Sequence, residues 1–238
     1  MENKFVSSYS DDRSAASLSQ SFLYNVFLWM FAGLLMTASV SYMFASNGAL
    51  ISLLVTERGL SMLGYIVMFA PIGFVLLMSL GFQRLSYVAL MVIFMLYSAL
   101  MGASLSFIFL IYTSNSIFST FIICAGMFGA MALYGYTTKS DLTKIGNILM
   151  MAVFGIIIAG VINMFLKSGV MSYVISMVTV VVFTGLTAYD VQKLKRIGTG
   201  VEYGSEIGSK LAIMGALSLY LDFINLFLAL LRLFGNRK

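Results

Sequence analysis

The sequence predicts an all-α membrane protein with seven transmembrane helices. Hydrophobic residues make up 61% of the 238 residues against 10% charged, and the mean hydropathy is +0.99. Such values lie well outside the range of soluble globular domains. The chain contains a single proline, so we expect mostly continuous helices. Segments of about 20 apolar residues, enough to cross a hydrocarbon core, occur at 24–45, 62–80, 87–112, 117–136, 145–166, 170–189 and 211–231.

The segment before the first span, 1–21, is rich in serine and mixes acidic with basic residues. It lacks the basic-then-apolar order of a cleaved signal, so we expect a short disordered cytoplasmic tail. Residues 22–238 are then expected to form a single seven-helix transmembrane domain. The longest connection between spans, 190–210, leaves no room for a soluble domain.

The first six spans contain no charged residue, whereas the seventh, 211–231, contains Asp222 near its centre. A carboxylate in the middle of a membrane span costs about 2.5–3.5 kcal/mol on insertion scales, and function is the usual reason for retaining it. The sixth span ends at a second carboxylate, Asp190. Because the chain has no histidine, His-based metal sites are excluded, and pH sensing near neutrality must come from carboxylates or from outside the chain. The two acids therefore predict ion or proton chemistry inside a membrane.

Lysine and arginine in the short connections predict the orientation. The tail and the connections on its side hold nine such residues, against Arg58 and Lys167 on the other side. This bias places the N-terminus in the cytoplasm. Arg232, Arg237 and Lys238 follow the last span, and a re-entrant last span would return them to the cytoplasm. Length and an unbroken apolar run favour full crossing, so we expect seven crossings.

Small residues recur four positions apart on several spans, which predicts close approach of helix backbones. Such pairs are Gly102 with Ser106, Gly126 with Ala130, Gly155 with Ala159, and Gly208 with Ala212. The pattern is a packing signal and says little about activity.

Three stretches are more specific than composition. They read GYTTKSDLTKIGNI at 135–148, TAYDVQKLKR at 187–196 and ALSLYLDFINLFLALLRLF at 216–234. Together they resemble the Bax inhibitor-1 family of small multispan proteins, over the chain from about the second span to the end. The resemblance implies a seven-helix fold with the C-terminal helix at the centre. It also implies a calcium-leak protein of the bacterial inner membrane.

The family's gating aspartates fall on Asp190 and Asp222 by direct motif match. In the family a basic residue near the cytoplasmic end of the second helix can engage this pair, and Arg84 is the nearest candidate by position. An ordinary cytoplasmic arginine is the alternative for Arg84. Some relatives also carry an acid within the second helix, which this chain lacks between 58 and 84.

Two carboxyl groups in a low-dielectric site do not easily both ionise, so Asp190 and Asp222 should titrate as a coupled pair. Calcium prefers carboxylate and carbonyl oxygens, and two carboxylates suit a weak, transient calcium site. Asp190 ends its span and Asp222 lies mid-span, and ten residues of helix measure roughly 15 Å. The pair can meet only if the sixth helix extends beyond its apolar run or the seventh sits shallow.

Other functions are open on the sequence alone. Asp222 could be a structural acid bonded to Tyr220, Asn225 or a facing helix, and Asp190 a solvated helix end. Intramembrane aspartyl proteases also place two aspartates on adjacent helices, but their Gly-x-Gly-Asp and Pro-Ala-Leu elements are missing, so we expect no enzyme. A secondary transporter is a further alternative, although no internal repeat is visible.

The second functional hypothesis is a non-conducting regulatory protein that modulates a membrane protease or a stress or cell-death response. For the leading hypothesis, a pH-sensitive calcium leak, we expect the lipid bilayer and calcium ions as partners. We expect no cofactor and no nucleic-acid partner.

Overall fold

Long helices dominate the computed structural model of this chain. It describes residues 2–238 apart from 57, 58, 202 and 203, and describes side chains from residue 17 onward. Arg58, counted above in the orientation, lies outside the described residues. The helices are α1 (Glu2–Ser46), α2 (Gly48–Leu54), α3 (Met62–Gly81), α4 (Tyr87–Leu105), α5 (Ile108–Ile111), α6 (Ser114–Thr137), α7 (Thr143–Leu166), α8 (Gly169–Thr199) and α9 (Glu206–Phe234). Strands β1 (Val55–Thr56) and β2 (Gly59–Leu60) form a short antiparallel pair.

Seven helical segments of the described chain are long and apolar enough to cross a membrane. The predicted all-α membrane fold with seven transmembrane helices is therefore confirmed. The last of them, α9, has 67% of its most apolar window buried, against at most 39% in the other six. This burial confirms the central position expected for the C-terminal helix. α9 runs unbroken for 29 residues, or about 43 Å, which is long enough to cross a membrane as one helix.

α8 extends further than its apolar stretch. α8 continues to Thr199, whereas the predicted span ends at residue 189. Asp190 ends the apolar run, and Lys193, Lys195 and Arg196 follow it. Lysine and arginine are good helix formers, so the helix itself continues.

α1 also begins before the first predicted span. The structure continues α1 as helix back to Glu2, because the serine and alanine residues before the span contain no proline or glycine to stop it. The short disordered cytoplasmic tail expected over 1–21 stays a prediction.

Polar side chains define where several helices begin. Ser61 Oγ accepts from the N–H of Gly64 at the start of α3, and Ser86 Oγ accepts from the N–H of Ala89 at the start of α4. Thr113 caps α6 in the same way. Each cap satisfies a backbone donor that has no partner inside its helix.

The chain divides into two compact units. The first contains Met1–Ile111 and Arg196–Leu217, and the second contains Tyr112–Lys195 and Ser218–Lys238. In the first unit α4 packs against α1 and α3, and Leu54, Val67 and Ala103 form a buried apolar cluster. The single domain expected over 22–238 stays a prediction.

Close helix approach occurs at some of the small residues and not at others. A Cβ on Gly102 would press on the backbone of Thr37, which confirms the prediction there. Gly126 and Gly155 have nothing within 4 Å of where a Cβ would lie. The prediction was wrong for these two glycines, because the recurrence of small residues does not say which face of a helix meets a neighbour.

Candidate functional site

Asp190 and Asp222 lie on α8 and α9, within the second unit. Asp190 is partly buried and lies about two and a half turns before the end of α8 at Thr199. The alternative of a solvated helix end is therefore wrong. The extension of α8 beyond its apolar run is the condition under which the two aspartates can meet.

Ser218 connects the two helices. Its Oγ donates a hydrogen bond to Asp190 Oδ2. Ser218 precedes Asp222 by four residues, so the two side chains lie on the same side of α9, one turn apart. The structure thus brings Asp190, Ser218 and Asp222 into one site.

Asp222 is buried with one unsatisfied oxygen. Its side chain is 5% exposed, and Oδ2 has no hydrogen-bond partner among the described residues. Asn225, offered above as a structural partner, donates instead to the carbonyl oxygen of Leu221 at 2.8 Å. A buried carboxylate oxygen without a partner is costly, and a bound proton or a cation relieves that cost.

Aromatic residues of α6 surround the next residue of α9, Phe223. The Phe121 and Phe128 rings meet the Phe223 ring edge to face, with centroids 5.4 and 5.5 Å away. Cys124 is buried between these two positions on α6, and its Sγ lies 3.6 Å from the carbonyl oxygen of Phe223. These apolar surroundings strengthen the electrostatic interaction between charged groups nearby.

Two glycines allow α8 to come close to its neighbours just before Asp190. Gly135 of α6 lies against the backbone of Ala188, and Gly146 of α7 lies against the ring of Tyr189. A Cβ at either glycine would overlap the facing atoms. The absence of a side chain at both positions therefore helps to set where Asp190 lies.

Hydrogen bonds on the other side of Asp190 hold α8 to the connection between α6 and α7. The Gln192 side chain donates to the carbonyl oxygen of Ser140 at 2.8 Å and accepts from the N–H of Leu142 at 2.9 Å. Lys195 Nζ donates to the carbonyl oxygen of Tyr136 at 2.8 Å and lies over the Tyr136 ring. The stretches 135–148 and 187–196 thus pack on each other.

Arg84 belongs to the first unit. It lies in the turn between α3 and α4, its backbone N–H donates to the carbonyl oxygen of Gly81 at 2.9 Å, and its side chain is exposed. Its role at the aspartate pair stays a prediction from the resemblance. In the described part of the chain, no three His, Cys, Asp or Glu residues come together. The site therefore offers a cation two carboxylates and a hydroxyl.

Residues 19–238 match the family model described as "Inhibitor of apoptosis-promoting Bax1". The chain belongs to the Bax inhibitor-1 family. The match includes both α8 and α9, and hence both aspartates. The family expectation from the three sequence stretches is confirmed, and this Bax inhibitor-1 family member is a multi-pass membrane protein.

Bacterial relatives are similar over most of the chain. Inner membrane protein YbhL of Escherichia coli (strain K12) is 49% identical over 220 residues, covering 92% of this chain and 93% of the relative. An uncharacterized protein of Borreliella burgdorferi is 43% identical over 221 residues, covering 93% and 94%. The uncharacterized protein RP147 of Rickettsia prowazekii is 49% identical over 175 residues, 74% of each chain.

Sequence reasoning missed Ser218 and Gln192. For Ser218 a signal was present, since a hydroxyl four residues before a mid-span acid lies on the same side of the helix. For Gln192 no such signal exists, because its partners lie 50 and 52 residues away in sequence.

Proposed function

We propose that this Bax inhibitor-1 family member is a pH-sensitive calcium (cation) leak channel gated by Asp190 and Asp222. The observation that carries the proposal is the buried Oδ2 of Asp222, which lacks a partner among the described residues. It lies on the same helix that contacts Asp190 through Ser218. Similarity to inner membrane protein YbhL supports a location in the bacterial inner membrane. The lysine and arginine distribution supports a cytoplasmic N-terminus.

The gate works through the number of protons that the two carboxyl groups hold. With one proton between them, the O–H of one carboxyl can donate to the other, which ties α8 to α9. With both ionised, the charges repel each other and attract a cation. Calcium takes six to eight oxygen ligands in tight sites. Two carboxylates and the Ser218 hydroxyl supply fewer, so the ion binds weakly and can leave.

The proposal needs no cofactor and no catalytic residue. Its partners are the lipid bilayer and calcium ions, with calcium as the transported ion, and nucleic acid has no part in it. Arg84 enters as a cytoplasmic basic residue that engages the aspartate pair in one state of the gate.

Calcium flux into liposomes that contain the full chain tests the gate. Asp222→Asn keeps the size of the side chain and removes its titration. We expect wild-type flux to change with pH and the flux of the variant to be the same at every pH. Glu206→Gln is the matched control, since Glu206 is an exposed carboxylate in the first turn of the same helix. Flux in Asp222→Asn that follows pH as in the wild type would rule out the gate.

The second hypothesis is the non-conducting regulator of a membrane protease or a stress response. What favours it is the description of the family model, which names inhibition of another protein rather than transport. It predicts that the purified wild-type protein conducts no calcium at any pH across the range in which its carboxyl groups titrate. It also predicts that a membrane protein remains bound during purification.

A further inference from the structure

Three basic side chains converge on one cavity in the second unit. Lys167 comes from the turn between α7 and α8, Arg232 from the last turn of α9, and Arg237 from the segment after α9. The cavity has a volume of about 660 Å³. Asn163 and Ser172 add an amide and a hydroxyl, and no acidic residue is among the described residues that line it. The cavity therefore has the charge and the donors of an anion site.

The turn that carries Lys167 is held in one conformation. Lys167 has a φ of 52°, in the left-handed region that residues with a Cβ adopt at a steric cost. The carbonyl oxygen of Asn163 accepts from the N–H of Lys167 at 2.7 Å. The Asn163 side chain accepts from the N–H of Ser168 at 3.1 Å and donates to Ser172 Oγ at 2.7 Å. Asn163 thus fixes the direction in which the chain leaves α7.

The segment that carries Arg237 is also held. The carbonyl oxygen of Asn236 accepts from the N–H of Thr113 at 3.1 Å, and the backbone N–H of Asn236 donates to Ser116 Oγ at 2.9 Å. The backbone of Arg237 pairs with that of Tyr112 in an isolated antiparallel bridge. Arg237 therefore lies beside the cavity rather than on a free chain end.

A narrower groove of about 240 Å³ continues from the cavity between α7, α8 and α9. Gly160, Ile175, Ser176 and Arg232 line both spaces. Most of the other groove residues are apolar, namely Val153, Ile156, Ile157, Phe183, Leu228 and Ala229. Ile157 is 55% exposed, so the groove opens onto the outer surface of the helices. A charged cavity joined to an apolar groove fits an amphipathic ligand.

We propose that these two spaces bind one anionic phospholipid, with its phosphate-bearing headgroup in the cavity and an acyl chain in the groove. Arginine offers a planar fork of donors that matches phosphate oxygens, and lysine adds a point charge. Basic pockets between transmembrane helices on the cytoplasmic side bind phosphate headgroups, and the same pairing of charge and donors is available at this cavity. Free phosphate has the same charge chemistry but no chain to fill the groove.

The distribution of charge along the chain supports a binding role. On the predicted orientation these three residues lie on the non-cytoplasmic side, where lysine and arginine are depleted. Three basic residues on that side weaken the charge bias that orients the protein in the membrane. The binding of an anionic ligand therefore explains their presence better than membrane orientation does. Neither Asp190 nor Asp222 lines either space, and the inference does not rest on the proposed leak activity.

Native mass spectrometry of the full chain in detergent tests the headgroup site, with equal amounts of phosphatidylglycerol and phosphatidylethanolamine added. We expect the wild type to retain one phosphatidylglycerol in preference to the zwitterionic lipid. The triple variant Lys167→Gln, Arg232→Gln, Arg237→Gln should retain about tenfold less of it. Lys144→Gln, an exposed lysine at the opposite end of α7, should bind as the wild type does. Equal retention of both lipids, or undiminished binding by the triple variant, would overturn the proposal.

A second variant tests the groove without a change of charge. Gly160 lies where the two spaces join and has nothing within 4 Å of where a Cβ would lie. Gly160→Leu should therefore fold and obstruct the groove, and we expect about tenfold weaker retention of phosphatidylglycerol. Gly155→Leu is the matched control, because Gly155 is equally open, lies on the same helix and lines neither space.

Competition with inorganic phosphate distinguishes a phospholipid headgroup from a free phosphate ion as the ligand of the cavity. Millimolar phosphate should leave the bound phosphatidylglycerol in place in the wild type. Complete displacement by phosphate, or retention in Gly160→Leu equal to that in Gly155→Leu, would show a small-anion site and overturn the assignment to a lipid.

Discussion

Asp222 is the residue whose burial is hardest to explain by folding. It is 5% exposed, and its Oδ2 has no hydrogen-bond partner among the described residues. Buried polar groups that serve the fold normally have such partners. A buried polar group that lacks a partner carries a desolvation cost of about 1–3 kcal/mol, which an apolar replacement of similar size relieves. A group retained at a cost to stability is the pattern expected of a functional residue.

Asp222→Leu should therefore stabilise the protein while it removes the pH dependence of calcium flux. We expect the free energy of unfolding to rise by about 1 kcal/mol or more, measured by denaturant titration in detergent. Asp141→Leu is the contrasting variant, because Asp141 Oδ1 accepts from the N–H of Thr143 at 3.0 Å at the start of α7. The loss of this hydrogen bond should lower the free energy of unfolding by about 1 kcal/mol. Destabilisation by Asp222→Leu as large as that by Asp141→Leu would identify Asp222 as a structural acid.

At the scale of elements, the position of α8 depends on two glycines in the helices that pack against it. Gly135 and Gly146 let two helices approach α8 at consecutive residues, Ala188 and Tyr189. Asp190 follows directly. One of these contacts is to the backbone of α8 and the other to the Tyr189 ring, and a small change in either displaces the carboxyl group of Asp190.

Gly135→Ala and Gly146→Ala should each destabilise the protein, because the added methyl group overlaps the facing atoms. Overpacking of this kind costs about 1–3 kcal/mol. Gly126→Ala is the control on α6, since its Cβ would lie in open space. It should be neutral or stabilising by up to about 1 kcal/mol, because alanine is the better helix former. Thermal unfolding in detergent measures all three, and equal shifts in the three variants would contradict the close-packing account.

The spans could be predicted because apolar composition over a membrane thickness is a property of the linear sequence. α3 begins at Met62, as expected. The end of α8 could not be predicted in this way, because Asp190 and the basic residues after it stop the apolar run without stopping the helix. The family motif identified both aspartates. The meeting of Lys167 with Arg232 depends on how distant helix ends come together, which no local pattern displays.

At the scale of the whole molecule, seven crossings put the two chain ends on opposite sides of the membrane. The excess of lysine and arginine on the side of residues 1–21 predicts which side is cytoplasmic. The C-terminus then lies outside, together with the basic cavity. Cys124 is the only cysteine of the sequence and is buried. Replacing it by alanine leaves no native thiol, so a single cysteine introduced elsewhere can be labelled with little background.

We expect a membrane-impermeant maleimide to label Lys238→Cys from outside intact spheroplasts. Lys144→Cys, at the start of α7, should be labelled only after the membrane is permeabilised. Both variants carry Cys124→Ala, and that change alone is the blank. Labelling with the opposite sidedness would reverse the orientation and place the basic cavity in the cytoplasm.

Ser218 and Asp222 lie one turn apart on the same side of α9, and Asp190 contacts the first of them. A slide of α9 along its own axis by one turn, about 5.4 Å, would exchange the partner of Asp190 from a hydroxyl to a carboxyl with little rotation. One-turn ratchets between packed elements are an established mode of switching. α8 and α9 would then pack in two alternative registers, with Asp190 opposite either Ser218 or Asp222. The protonation state of the carboxyl groups would decide which register is populated. Carboxyl paired with carboxyl requires a shared proton, whereas hydroxyl paired with carboxylate does not.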